Sequence, residues 1–391
     1  DEPVRISVRG LAPGQPVTLR ASLRDERGAL FRAHARYRAD DRGLLDLARA
    51  PALGGSFVGL EPMGLLWALE PEKPLVRLVK AGRLFLPTFQ FWALLINCTV
   101  HGLILLPPLS LSQVKGLGVG LLGNSKGDLW CFPGAGPFPG IIDLYGSGGG
   151  LCEYRASLLA GHGFAALALA YFRFEDLPEY LDDLQLEYFE EAVNFMLQHP
   201  KVKGPNVGLL GFSKGGDLCL SMASFLKGIT ATVLINSCVA NTVAPLPYKD
   251  MIIPSLGSDP KRYTINESGL LNFMGIWENP LEGSNQKSII PFERAQGPFL
   301  FIVGMDDNNW KSSFYAQIAS ERLQANGKDR PEIICYKGTG HCIEPPYFPV
   351  CRASVHAVLG QPICHGGEPE FQSRAQVDAW QRIQTFFHKH L

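Results

Sequence analysis

The stretch Val207-Gly208-Leu209-Leu210-Gly211-Phe212-Ser213-Lys214-Gly215-Gly216-Asp217-Leu218-Cys219-Leu220 decides the fold of this chain. Its opening, Val207 to Leu210, reads as a short buried strand, and after Gly215 the apolar residues fall into helical spacing through Met222 and Phe225. Ser213 stands on the turn between them. Glycines at 211 and 215 leave the backbone free to fold sharply, which predicts a strand-to-helix corner with the serine hydroxyl presented on it, a nucleophile elbow. Free N–H groups at the head of the following helix would then face negative charge developing beside Ser213.

Gly-x-Ser-x-Gly is weak by itself, because a glycine-rich turn with a surface serine produces it too. The chain supplies a comparison in a second match, Gly123-Asn124-Ser125-Lys126-Gly127. Val114-Lys115-Gly116 leads through Val119-Gly120-Leu121-Leu122 to Ser125, just as Val202-Lys203-Gly204 leads through Val207-Gly208-Leu209-Leu210 to Ser213, so the two are near-copies. Ser125, however, is followed by Trp130-Cys131-Phe132-Pro133-Gly134, where no helix starts well. Ser213 is the candidate nucleophile and Ser125 a decoy.

A length of 391 residues suits two domains, and 46% apolar against 19% charged residues indicates a globular protein with a large core. A net charge of -1, with no concentration of Lys and Arg, excludes a nucleic-acid binder. Nine cysteines without C-x-x-C spacing read as free thiols in a reducing compartment, with Cys219 and Cys335 expected to be buried. Cytoplasmic residence is the matching expectation, with peroxisome and mitochondrion as alternatives. The termini do not decide among them: the chain starts at Asp1 without a signal-peptide pattern, and His388-Lys389-His390-Leu391 is not a Ser-Lys-Leu ending.

Residues 1–84 read as an all-β sandwich. Val4, Ile6 and Val8 alternate with polar residues, as do Val17, Leu19, Ala21 and Leu23, then Phe31, Ala33, Ala35 and Tyr37. Gly64 to Leu69 reads as a further short strand, and Arg5, Arg20, Arg24 and Arg32 as solvated strand faces. Residues 85–134 form an atypical apolar segment. From Leu84 to Val114 only His101 can carry charge, but Gln90, Asn97, Thr99 and Gly102 interrupt the run and no basic cluster flanks it, so no stable membrane insertion is expected.

From residue 135 to 391 strands and helices alternate. Strands are predicted at Phe138 to Leu144, Gly163 to Phe172, Ala231 to Asn236, Pro298 to Gly304 and Glu332 to Tyr336. Helices are predicted at Tyr154 to Ala160, Leu186 to Gln198, Ser313 to Gln324 and Arg374 to His388. Such alternation means a mainly parallel sheet with helices on both faces. Functional groups gather at the C-terminal edges of parallel strands. Ser213 follows one such strand, Asp306 and Asp307 follow another, and His341 in Gly338-Thr339-Gly340-His341 follows a third. That chain order, Ser, Asp, His, is the one expected of an α/β-hydrolase triad, although the sequence does not choose between the two aspartates. The other histidines, including His162, His199, His356 and His388, lie on helices or their ends. Gly146 to Gly150 sits where a loop could supply a second oxyanion donor, with Gly148 at its centre, beside the N–H of Lys214.

These residues together resemble the type I acyl-CoA thioesterases, which are grouped with bile acid-CoA:amino acid N-acyltransferase. The likeness covers residues 3 to about 80 and 135 to 391. It rests on Gly148-Gly149-Gly150-Leu151-Cys152-Glu153-Tyr154-Arg155-Ala156, Gly211-Phe212-Ser213-Lys214-Gly215, Gly340-His341 and Glu344-Pro345-Pro346-Tyr347-Phe348-Pro349. The resemblance implies an immunoglobulin-like N-terminal domain before an α/β-hydrolase domain, an acyl-CoA substrate, and no metal or cofactor. It also implies that Asp307 is the acid of the triad. The acyltransferase branch has Cys at the nucleophile, so Ser213 implies hydrolysis over transfer to glycine or taurine; a catalytically impaired paralogue is the remaining alternative. Three departures stand out: Asn308 where the family often has His, Cys342 where an aromatic is usual, and residues from about Phe89 to Cys131 without a counterpart at that place.

Overall fold

A computed structural model describes residues 2–79, 90–95, 98–100, 115–117 and 125–391. The N-terminal domain is built on β2 (Pro16–Arg24) and β3 (Leu30–Arg38), which pair antiparallel along their full nine residues. Period-two alternation decides which side faces in: Val17, Leu19, Ala21 and Leu23 are buried, and Arg20 and Arg24 are exposed. β7 (Gln90–Leu95) pairs with β2 and β8 (Cys98–Val100) with β7, while β5 (Gly54–Gly55) and β6 (Glu70–Pro71) pair with β3. The inner face packs against a second layer made by the pair β1 (Ser7–Val8) and β4 (Leu45–Asp46), with Ile6, Leu45, Leu47 and Trp67 in the shared core. The run from Gly64, read as a strand, is instead the helical turn α1 (Gly64–Trp67), every residue of which is buried. A short run that is apolar throughout has no period to separate the two conformations.

The second domain carries an eight-stranded sheet in the order β20-β19-β14-β13-β11-β12-β10-β9. Its strands are β9 (Lys115–Leu117), β10 (Lys126–Cys131), β11 (Phe138–Leu144), β12 (Ala165–Ala170), β13 (Val202–Phe212), β14 (Ile229–Ile235), β19 (Phe299–Gly304) and β20 (Glu332–Tyr336). The six from β20 to β12 are parallel, and β10 and β9 run antiparallel at the far edge. Residues 115–117 and 126–131, which the sequence sets apart in an atypical segment, are therefore strands of this sheet, and Gln90–Leu95 joins the N-terminal one. Apart from Gln90–Leu95 and Cys98–Val100, which pairs with it, the apolar run from Leu84 to Val114 lies outside the described residues. Among the described residues no helix is long and apolar enough to cross a membrane.

Helices cover both faces of the sheet. α3 (Leu186–Gln198), α4 (Lys214–Phe225) and α5 (Ser312–Ala325) bury Phe189, Met222 and Tyr315 against Ile142, Leu144 and Leu209. α2 (Tyr154–Gly161) and α6 (Pro369–His390) bury Leu159, Trp380 and Phe387 on the opposite side, against Ile141, Leu210 and Val233. Near-continuous apolar strands such as Ala165–Ala170, buried at every residue, are what a sheet covered on both faces requires. Cys335, expected inside, is exposed because β20 is the edge strand, whereas Cys219 is buried. The eight cysteines from Cys131 to Cys364 are free.

Two hairpins follow β14: β15 (Leu246–Tyr248) with β16 (Met251–Ile253), and β17 (Thr264–Ile265) with β18 (Leu271–Asn272). β18 then pairs with β22 (Pro362–Cys364), itself paired with β21 (Ala353–Val355). This small sheet abuts the turn after β19, where the N–H groups of Phe273 and Met274 both reach the Asn308 carbonyl at 3.0 Å.

Candidate active site

Ser213 lies between β13 and α4 with φ at 54° and ψ at -124°, a backbone conformation that L-residues rarely adopt. The corner is held by close backbone approaches. A side chain at Gly211 would come within 2.6 Å of the Gly216 Cα, and one at Gly215 would collide with the carbonyl oxygens of Leu144 and Tyr145. Both elbow glycines are therefore packing requirements, and they bring the loop after β11 down onto the head of α4.

His341 follows β20. Its ring position is fixed through the backbone: its N–H donates to the His365 carbonyl at 2.8 Å, and Asn236 Nδ2 donates to the carbonyls of Gly340 and His341 at 3.1 and 2.8 Å. The Asn236 Oδ1 accepts from the Gly304 N–H at 2.7 Å, so one side chain at the end of β14 joins the ends of β19 and the histidine loop. His341 Nδ1 lies 2.9 Å from Asp307 Oδ2, and His341 Nε2 lies 3.0 Å from Ser213 Oγ. A carboxylate only accepts, so Nδ1 carries the proton and Nε2 is the acceptor for the serine hydroxyl. Burial pushes the His341 pKa below its ordinary value, against the opposing pull of Asp307, which keeps the imidazole neutral at pH 7.

The structure separates the two aspartates. Asp306 is exposed and Asp307 buried. Besides His341, Asp307 Oδ2 accepts from Ser312 Oγ at 2.6 Å, and Oδ1 accepts from the N–H groups of Asn309 and Trp310 at 2.8 and 3.1 Å. Ser125 is elsewhere. It is buried at the start of β10, donating to the Tyr188 carbonyl at 2.8 Å.

Lys214 begins α4, so its N–H has no carbonyl within the helix and stays beside Ser213. Its side chain points away into a buried pair with Asp217 at 2.9 Å. In the glycine run, Gly146 abuts the nucleophile, since a Cβ there would lie 3.0 Å from the Ser213 Cβ; Gly148 is exposed beside the Tyr145 ring. Ser147 is paired with His356 Nε2 at 3.0 Å. His356 thus lies in a turn against this loop, not on a helix as the sequence suggested, and its pKa is pushed down to about 4, mainly by burial.

Several site residues are silent in the sequence. Trp310 Nε1 donates to Ser213 Oγ at 2.9 Å, and its ring stacks on Trp277 at 5.3 Å between centroids. Behind the glycine loop, Glu344 accepts from the hydroxyls of Tyr145 and Tyr154 at 2.8 Å each and is paired with Arg77. Burial would raise the Glu344 pKa, but Arg77, Arg155 and the tyrosine hydroxyls outweigh it and hold the carboxyl below its ordinary value. Glu344 and Tyr154 carry a sequence signal through the motifs they belong to, but Arg77 and Tyr145 carry none, and Glu344 draws its partners from two distant regions, residue 77 and residues 145–154.

A family model described as BAAT / Acyl-CoA thioester hydrolase C terminal matches residues 184–391, and one described as Acyl-CoA thioester hydrolase/BAAT N-terminal region matches residues 1–93. Human acyl-coenzyme A thioesterase 6 is 70% identical, over 100% of this chain and 94% of its own length. The chain belongs to the acyl-CoA thioester hydrolase/BAAT family. Two other relatives in the family are human acyl-coenzyme A thioesterase 1, 60% identical, and mouse peroxisomal succinyl-coenzyme A thioesterase, 54% identical; each alignment covers 100% of this chain and 94% of the relative. The C-terminal match spans Ser213, Asp307 and His341. The alignments with the relatives run end to end, through residues 94–183, which neither family model covers.

Proposed function

We propose that this chain hydrolyses acyl-CoA thioesters to a free acid and CoA through an acyl-enzyme on Ser213. The observation that carries the reading is the buried chain from Ser213 Oγ through His341 to Asp307, with links of 3.0 and 2.9 Å. His341 Nε2 takes the serine proton as Oγ bonds to the thioester carbon. The C–S bond then breaks, the expelled thiolate takes the proton from His341 Nε2, and CoA departs as a thiol. Water enters, gives a proton to His341 Nε2 and adds to the ester carbon; the C–Oγ bond breaks and the proton passes to Oγ. Asp307 holds the tautomer and balances the imidazolium in both halves. The backbone N–H of Lys214 and a donor from the 146–150 loop, assigned to Gly148, would hold the oxyanion.

The test is CoA release from acyl-CoAs of graded chain length, in the presence of glycine and taurine, by the wild type and by Ser125→Ala. The expected products are the free acid from both proteins and no N-acyl amino acid. An amide product would replace hydrolysis by acyl transfer, and loss of activity in Ser125→Ala with retained folding would move the chemistry to the other serine.

A further inference from the structure

The serine oxygen has two neighbours, and the reaction above uses only one. It donates its single hydrogen to His341 Nε2 and accepts one from Trp310 Nε1 at 2.9 Å. We propose that the Trp310 indole N–H is a catalytic donor to the serine oxygen as leaving group, speeding breakdown of the acyl-enzyme rather than its formation. This rests on the reading of Ser213 as the acylated nucleophile.

The two halves of the reaction ask opposite things of Oγ. In acylation it is the attacking atom, and the group expelled is a thiolate. A hydrogen bond to Oγ gives no advantage there, since it withdraws electron density from the nucleophile. In deacylation the tetrahedral carbon carries two oxygens it can expel, the one from water and Oγ. Expelling the first regenerates the acyl-enzyme, and expelling Oγ completes hydrolysis. As the C–Oγ bond breaks, its electron pair goes to Oγ and the proton on His341 Nε2 follows. A donor already aimed at Oγ gains strength as that charge appears, so it favours the productive direction.

The indole is built to hold this position. Trp310 is buried and stacks on Trp277 with ring planes within 3°. Its own backbone N–H donates to Asp307 Oδ1 at 3.1 Å, so the residue that orients His341 also fixes the main chain of the donor. Both hydrogen bonds converge on the same oxygen, from residues on the loops after β19 and β20.

The experiment is rapid-mixing CoA release with Trp310→Phe, which keeps an aromatic ring but loses the N–H with the rest of the five-membered ring, beside the wild type and Trp277→Phe, which makes the same change of ring on the stacking partner. The ratio of the first-turnover rate to the steady-state rate is read for each, with acid-quenched protein weighed for bound acyl group. In Trp310→Phe the ratio is expected to rise about tenfold, the scale of one hydrogen bond, with acyl-enzyme accumulating and the first turnover undiminished. Trp277→Phe retains the donor and is expected to keep the wild-type ratio. Equal slowing of both phases in Trp310→Phe, or an unchanged ratio, overturns the proposal. Undiminished CoA release by Ser213→Ala would instead remove the acyl-enzyme reading on which it rests.

Discussion

At Ser213 the backbone φ of 54° sets the hydroxyl on the corner, and the neutral His341 beside it gives that hydroxyl a base. The protonation state follows from burial, which lowers the His341 pKa below 6.5 despite Asp307. Two consequences carry the same sign. Activity needs the neutral imidazole, so the acid limb of kcat/KM should have its midpoint below pH 6.5. Between the folded pKa and 6.5 the unfolded chain binds a proton that the folded one refuses, so the stability present above pH 6.5 is lost as pH falls. His356, held down at about 4, adds to the loss in the same direction. A pH profile of kcat/KM measured over pH 4 to 8 checks the first point, and a midpoint at or above 6.5 would count against it.

Among elements, the glycine loop after β11 depends on a buried network that ties it to the histidine loop. Tyr145, immediately before Gly146, and Tyr154 on α2 both bond to Glu344, three residues beyond His341, and Arg77 from the N-terminal side completes the set. Glu344→Gln retains the shape and removes the charge, which leaves the half-buried Arg77 bonded to the Tyr145 hydroxyl but without its counter-ion. The expected cost is about 2 kcal/mol, between that of breaking a fully buried pair and that of an exposed one. A urea denaturation midpoint close to that of the wild type would show that the network is relaxed by water. The pairing of these residues is not legible along the chain. Strands such as Pro16–Arg24 and helices such as Leu186–Gln198 announce themselves by local period, whereas a contact between residues 77 and 344 leaves no period in either segment.

For the whole molecule, the order of alternating strands and helices was enough to read a mainly parallel sheet, because each β–α unit writes its own local pattern. The candidate triad was legible for the same reason: parallel strands bring their C-terminal ends to one edge, so residues after β13, β19 and β20 meet there. Where local pattern fails, so does the reading. Gly64–Trp67 is apolar throughout and is helix, and β10 is an antiparallel strand, between β12 and β9, that the helix-alternation rule does not reach. Trp310 draws no attention in the sequence, since nothing there says which atom an indole N–H will meet. The central claim is that Ser213 and Asp307, far apart along the chain, act as one unit through His341. The direct measurement is kcat for CoA release by Ser213→Ala, Asp307→Asn and the double variant. Each single change is expected to cost about a thousandfold or more, and the double variant to be no slower than the slower single one. Losses that multiply in the double variant would mean that the two residues work independently, and would contradict the account.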